Sequence, residues 1–353
     1  MTKTVWDFGS AYDFFISIFV IHHPDRFGLR PAWAAGVRSR LSCEDRQFLE
    51  NLNNHFPVPL IWIYQLSLED KNTKAVLSAL ANIPPEQRLI SLYKTSLMTE
   101  DIISTIYQIS KNQKIKPKDL EILRPAFQGR STPIKKRELQ KIAEIFLNLK
   151  EFGEQLLNVL QGYYYAFFEE EEKRILPILQ EGLQIAQKKA MIQPVPELLE
   201  DLSHGVKLEK IASYQKIILA PSYWTTPLIF YNNPQPDELL VVFGCREEDQ
   251  NLIPGEYVPE TLVTALKAMA DPTRLRILHY LNQGTNTPSS LAKLLRLRAP
   301  TVIHHLNTMR LAGLVQVTLT ASGERRYSLR QDAIEDTYKL LNRVIRPENS
   351  KNI

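Results

Sequence analysis

Thr287-Pro288-Ser289-Ser290-Leu291-Ala292-Lys293-Leu294-Leu295-Arg296-Leu297-Arg298-Ala299-Pro300-Thr301-Val302-Ile303-His304-His305-Leu306-Asn307-Thr308-Met309-Arg310 decides how the C-terminal part of this chain folds. A hydroxyl followed by proline reads as a helix start, because Thr287 can cap it and a first-turn Pro288 loses no helical hydrogen bond. Leu291, Leu294 and Leu295 then supply the apolar face of a short helix. A tight turn through Arg296-Leu297-Arg298 leads into a second helix, Pro300 to Ala312, with Val302, Leu306 and Met309 facing inward until Gly313 stops it. Val315 to Thr320 and Arg326 to Leu329 alternate like two strands around the tip Ala321-Ser322-Gly323-Glu324. Upstream, Thr261 to Ala270 is an amphipathic helix with Leu262, Leu266 and Met269 on one side. Asp271-Pro272 opens the next, Thr273 to Leu281, which directs Leu275, Ile277, Leu278 and Leu281 toward a core. Two short helices joined by a tight turn and followed by a β-hairpin make a winged helix-turn-helix.

Such a module puts its second helix in a DNA major groove, and the residues left on the outer side fit that use. Arg298, Thr301, Ile303, His304, His305, Asn307 and Arg310 lie at the start or on the outside of that helix, with Ser289 at the start of the helix before it. Arg325 and Arg326 sit beside the hairpin tip, placed for a neighbouring backbone or minor groove. Charge distribution agrees. The formal net charge is +4, yet residues 257–332 alone carry +6 and residues 333–353 carry +1, which leaves residues 1–256 at −3. Positive charge gathers where a polyanion would bind.

At these residues the sequence resembles the ArsR-type family of bacterial winged-helix regulators. Asp271-Pro272-Thr273-Arg274-Leu275-Arg276-Ile277-Leu278 looks like the family's second-helix signature. Thr301-Val302-Ile303-His304-His305-Leu306 with Arg310-Leu311-Ala312-Gly313-Leu314-Val315 looks like its recognition helix and exit. The resemblance implies a symmetric homodimer in which the helix before Asp271 and the final helix, Ala333 to Arg346, pair across a two-fold axis. Leu262, Leu266, Met269, Ile334, Tyr338 and Leu341, with Ile345, are the candidate interface. A two-fold dimer reads a near-palindromic operator. Where metal-sensing members of the family carry a Cys-x-Cys pair, Thr287 and Ser289 stand here, and neither hydroxyl replaces a thiolate. Ala333 and Ile334 occupy the family's alternative histidine site. No metal and no cofactor is therefore expected. Arg26-Phe27-Gly28-Leu29-Arg30-Pro31-Ala32-Trp33 resembles a segment of long ArsR-type proteins whose N-terminal domain is uncharacterised.

The rest of the chain is read from periodicity and composition. Ala11 to Ile21, Cys43 to Asn53, Asp70 to Ala81, Thr99 to Ser110 and Ile134 to Phe152 show helical spacing, and Gln161 to Ala190 is a long helical candidate with Pro177 as a kink or break. Lys216-Ile217-Ile218-Leu219-Ala220, Leu228-Ile229-Phe230-Tyr231 and Leu239-Leu240-Val241-Val242-Phe243 are short β-branched runs, read as a small antiparallel sheet. The expected class is mainly α with small β elements, α+β. The expected division is a helical domain 1–205, a β-rich segment 206–250 packed on it, a linker 251–258, a winged helix-turn-helix 259–332 and a dimerisation helix with tail 333–353.

Several features carry plain readings beside sharper ones. His304 and His305 are neighbours on a helix and point about 100° apart, too far to share one ion readily. His22-His23-Pro24-Asp25 reads as a helix end. Glu169 to Glu172 reads as a solvated face, and Tyr163-Tyr164-Tyr165, Trp33, Trp62 and Trp224 as core packing. Cys43 and Cys245 give no disulfide framework, which fits a reducing compartment and a cytoplasmic place; no stretch is long and apolar enough for a membrane span. No nucleophile elbow, phosphate-cradling glycine loop or dinucleotide fingerprint occurs, so no catalytic residue is assigned. The expected function is a transcriptional regulator, in the repressor sense, with duplex DNA, a second copy and a small organic effector as partners. Two alternatives are a winged helix used as a protein-interaction module and an enzyme domain fused to a DNA anchor.

Overall fold

Lys216–Ser222 and Glu238–Gly244 are nearly unbroken apolar runs, and in the computed structural model of the protein they lie side by side as buried parallel strands. The structure describes residues 2–67, 69, 71–95, 97–127, 134–247, 250–252 and 258–345. In chain order its elements are β1 (Lys3–Trp6), α1 (Ala11–His22), α2 (Pro31–Arg38), α3 (Cys43–His55), α4 (Leu60–Gln65), α5 (Thr73–Ala81), α6 (Pro85–Tyr93), α7 (Glu100–Asn112), α8 (Pro117–Leu123), α9 (Lys136–Ile145), α10 (Leu149–Tyr163), α11 (Glu169–Ala190), α12 (Val195–Leu202), β2 (Val206–Leu208), β3 (Lys216–Ser222), β4 (Ile229–Asn232), β5 (Glu238–Gly244), α13 (Glu260–Met269), α14 (Pro272–Gln283), α15 (Pro288–Leu295), α16 (Ala299–Leu311), β6 (Val315–Leu319), β7 (Arg325–Leu329) and α17 (Gln331–Ile345). The α+β class holds. Asp70, Arg346 and residues 253–257 of the expected linker lie outside the described residues.

The N-terminal sheet has the order β1-β3-β5-β4. Its first three strands are parallel, with Lys3 opposite Lys216 and Lys216 opposite Glu238, while β4 closes the edge antiparallel with Ile229 opposite Phe243. The expected antiparallel sheet is thereby corrected: only the β4–β5 pair runs that way. Both faces of the sheet are covered, which is the condition parallel strands require. Side chains alternate along a strand. Ile218, Ala220, Leu240 and Val242 therefore join the large helical core, while Ile217, Leu219, Leu239 and Val241 pack with Ala186 of α11 and Leu198 and Leu199 of α12.

Pro177 does not interrupt its helix. Chain 149–190 runs from α10 through a π-helical segment, Tyr164–Phe168, into α11, and α11 passes through Pro177. Buried Ile175, Leu179, Gly182 and Ala186 hold the helix on both sides of the proline, so packing supplies what the lost hydrogen bond does not. The acidic run departs from its expectation too. Glu170 is exposed, but Glu171 is buried and holds Arg174 and the Trp224 indole, while Glu172 Oε1 accepts from Ser10 Oγ at 2.6 Å and from Thr73 N at 2.9 Å. Trp62, Trp224, Tyr163 and Tyr164 are buried as expected, and Tyr165 is exposed.

α13 to α17 and the β6–β7 hairpin enclose a second core around Ile277, Leu281, Leu291, Leu306 and Leu314. It is not closed by those elements alone. β2 pairs with β6 in parallel, Val206 opposite Val317, making a three-stranded sheet β2-β6-β7, and Val206 enters the second core. Gly205 makes the approach possible: it has φ +94°, and a Cβ there would lie 2.9 Å from Gln316 Cβ. Glu209 extends the contact by accepting from Ala321 N at the hairpin tip, 2.8 Å. In the segment Arg26 to Trp33 the Phe27 ring stacks on Phe230 of β4, at 5.9 Å and 7°.

Candidate nucleic-acid interface

The helices leading to α16 begin at caps that the sequence announces. Asp271 accepts from Arg274 N at 2.9 Å to start α14, and Thr287 Oγ1 accepts from Ser290 N at 3.2 Å to start α15. α15 ends on Arg296 in the left-handed conformation, φ +57°, and Leu297 N returns to Ala292 O at 2.9 Å. Arg298 then stands at the N-cap of α16. Val302, Leu306 and Met309 are fully buried, which fixes the rotation of α16 and turns its opposite side to solvent.

On that side Arg298, Thr301, Ile303, His304 and Asn307 are exposed, together with Ser289 on α15. Two expected contact residues are not presented there. His305 is half-buried beside Asp271 and Arg274, and burial lowers its pKa, with the Arg274 and His304 charges adding to that and Asp271 opposing it. Arg310 is half-buried, and burial pushes its guanidinium down to about 10, against the opposing pull of Tyr327 and with Arg330 and Arg325 nearby. Both sit at the margins of the exposed face: at about 100° per residue, 305 and 310 fall on either side of it, next to the buried stripe of 302, 306 and 309. Leu275 and Leu294, read as core residues, are 51% and 49% exposed. Lys293 and Arg296 are exposed cations on the same lobe that the pattern reading left out; the left-handed turn that presents Arg296 has no composition signature.

The hairpin tip is built by its own hydrogen bonds. Thr320 N donates to Glu324 O at 2.9 Å, Glu324 N donates to Thr320 Oγ1 at 2.9 Å, and Gly323 takes φ +82°. Arg325 and Arg326 are exposed beside it. Arg326 Nε donates to Glu324 Oε2 at 3.2 Å, an exposed pair that phosphate can compete with.

α13 and α17 lie against each other beside this lobe. Leu262 is spent inside the chain at 2% exposure, whereas Leu266 and Tyr338 are exposed at 38% and 59%, and Met269, Ile334 and Leu341 are intermediate. Thr287 uses its hydroxyl as a cap, Ser289 faces solvent, and the described residues hold no group of three His, Cys, Asp or Glu suited to a metal ion. No helix among them is long and apolar enough to cross a membrane. Burial pushes the Cys245 thiol well above its usual range.

Residues 271–317 match the family model described as bacterial regulatory protein, arsR family. They span α14, α15, α16 and the first three residues of β6, so the helix-turn-helix of this chain is of that DNA-binding type. A search of curated proteins found no match to the chain.

Proposed function

We propose that the protein is a transcriptional repressor that binds a near-palindromic operator as a homodimer, with residues 1–250 as its effector-sensing or assembly module and with no enzymatic role. The observation that carries this reading is the division of α16. Its apolar side is consumed by the core, and its free side exposes Arg298, His304 and Asn307 while the hairpin exposes Arg325 and Arg326, a cationic and polar set suited to a groove and its flanking phosphates. Exposed Leu266, Tyr338 and Ile345 on α13 and α17 give an apolar stripe that a second copy would cover.

Selection of bound fragments from a random duplex pool tests the proposal. Recovery of an inverted repeat by the wild type, and its loss in Arg298→Gln with His304→Ala, is the expected result. Recovery of no sequence at low or moderate salt would move the winged helix to the class of protein-interaction modules.

A further inference from the structure

The parallel strands β3 and β5 end at the same side of the N-terminal sheet, and Ser222, Thr225, Thr226 and Arg246 at that end are buried polar residues. The carboxyl end of parallel strands is where open α/β sheets receive ligands, because the chain turns away there and leaves donors converging on one crevice. Most groups at this end satisfy one another. Asp13 Oδ1 accepts from Ser222 Oγ and from Trp224 N, each at 2.8 Å, and Glu171 is held by Arg174 at 2.5 Å.

Arg246, two residues past β5, is different. It is 6% exposed, and its Nη2 donates to Thr226 O at 3.1 Å, but among the described residues its Nε and Nη1 have no hydrogen-bond partner. A buried cation with unmade donors is expensive, and proteins rarely keep one without use. The guanidinium lies 5.6 Å from the Tyr223 ring centroid, and Arg174 lies 4.6 Å from the same ring, so two cations share one aromatic ring. Arg174 already has its carboxylate in Glu171. Among the described residues Arg246 makes no ion pair with a carboxylate, and Glu260 acts on it only through its charge.

We infer that Arg246 anchors a binding site for a small oxyanion ligand, a carboxylate or a phosphate, whose oxygens accept from Nε and Nη1. The same side chains lead to the DNA-binding module. Tyr223 Oη donates to Asn251 O at 2.8 Å, and Asn251 Oδ1 accepts from the backbone N of Glu260, first residue of α13, at 2.5 Å. Glu260 is also a carboxylate whose charge acts on Arg246. An anion that occupies Arg246 therefore competes with Glu260 and releases part of the hold on α13. This consequence rests on the regulator reading; the binding itself does not.

The test uses full-length protein in chloride buffer of fixed ionic strength, with inorganic phosphate or succinate as probes, read by thermal unfolding and titration calorimetry. One of the two anions is expected to raise the wild-type midpoint by about 2–4 °C at ten times its dissociation constant, and Arg246→Met abolishes that rise. Without anion, Arg246→Met unfolds no lower than wild type, since it removes an unpaired charge. Arg246→Lys keeps the charge without the planar fork and loses at least about tenfold in affinity. Equal responses of wild type and R246M to both anions, or a midpoint more than about 5 °C lower in anion-free R246M, overturns the site. Duplex binding by anion-free wild type is measured separately: if it is present while the Arg246-dependent response is absent, only the site fails.

Discussion

Replacing Arg298, Arg325 and Arg326 together by glutamine removes three exposed charges from the proposed DNA face and touches no core residue. Each phosphate neutralised by a cation releases condensed counterion, and log affinity falls with log salt by about 0.9 per contact. Three contacts therefore contribute roughly 2.7 to the slope in one protomer and about 5 in a two-fold dimer. Arg326 contributes less than its share, because it leaves Glu324 at 3.2 Å to reach the phosphate. Raising salt from about 50 to 200 mM should then cost the variant about 40-fold less affinity per protomer than it costs wild type, although the variant binds more weakly throughout. Fluorescence anisotropy on a duplex of arbitrary sequence measures this without knowledge of the operator. The unfolding midpoint should stay within about 1 °C of wild type, as expected for exposed positions. An unchanged salt slope would refute the assignment of these arginines to phosphate and, with it, the orientation of α16 and the hairpin on DNA.

Gly205→Val places a β-branched residue at φ +94° against Gln316, and it should lower stability by roughly 2–4 kcal/mol in urea unfolding as β2 separates from β6; a loss under about 0.5 kcal/mol would mean the added strand is not held there. Asp13 is raised from 3.8 to about 7, chiefly by burial and secondarily by the Glu171 charge, against the lowering effect of its hydrogen bonds from Trp224 and Ser222. The fold thus favours the protonated carboxyl, so stability should fall as pH rises from about 4 to 7, by roughly 4 kcal/mol at most, and Asp13→Asn should flatten that stretch and be the more stable protein at pH 8. Parallel pH profiles of the two proteins would count against it. Leu266→Glu with Tyr338→Glu should convert a dimer to a monomer in light scattering, and persistence of the dimer would remove α13 and α17 from the interface.

Local signals sufficed for the C-terminal module. Asp271-Pro272 and Thr287-Pro288 mark helix starts because a side-chain oxygen and a fixed φ act within one turn, and the spacing of Val302, Leu306 and Met309 orients α16 because a helix has one period. Periodicity could not separate His305 and Arg310 from their outward neighbours. They sit at the margin of the helix face, half-buried, and the charges that act on them there, Asp271 on His305 and Arg330 on Arg310, come from elements placed by the rest of the fold.

What the sequence by itself determined was the existence of the helices, the α+β class and the helix-turn-helix with its basic face, all properties carried by interactions within about a dozen residues. The tertiary structure alone decided the partnership of strands. β1 pairs with β3 across more than two hundred residues, and Val206 leaves the N-terminal region to complete the sheet of the hairpin, contacts that no local period encodes. The apolar runs of β3 and β5 held a clue, since strands buried on both faces need no polar alternation, but only the helices packed on each side establish that both faces are covered. Burial of Arg246, whose Nε and Nη1 have no hydrogen-bond partner among the described residues, belongs to the same level, because desolvation is a property of the assembled chain and never of one residue type.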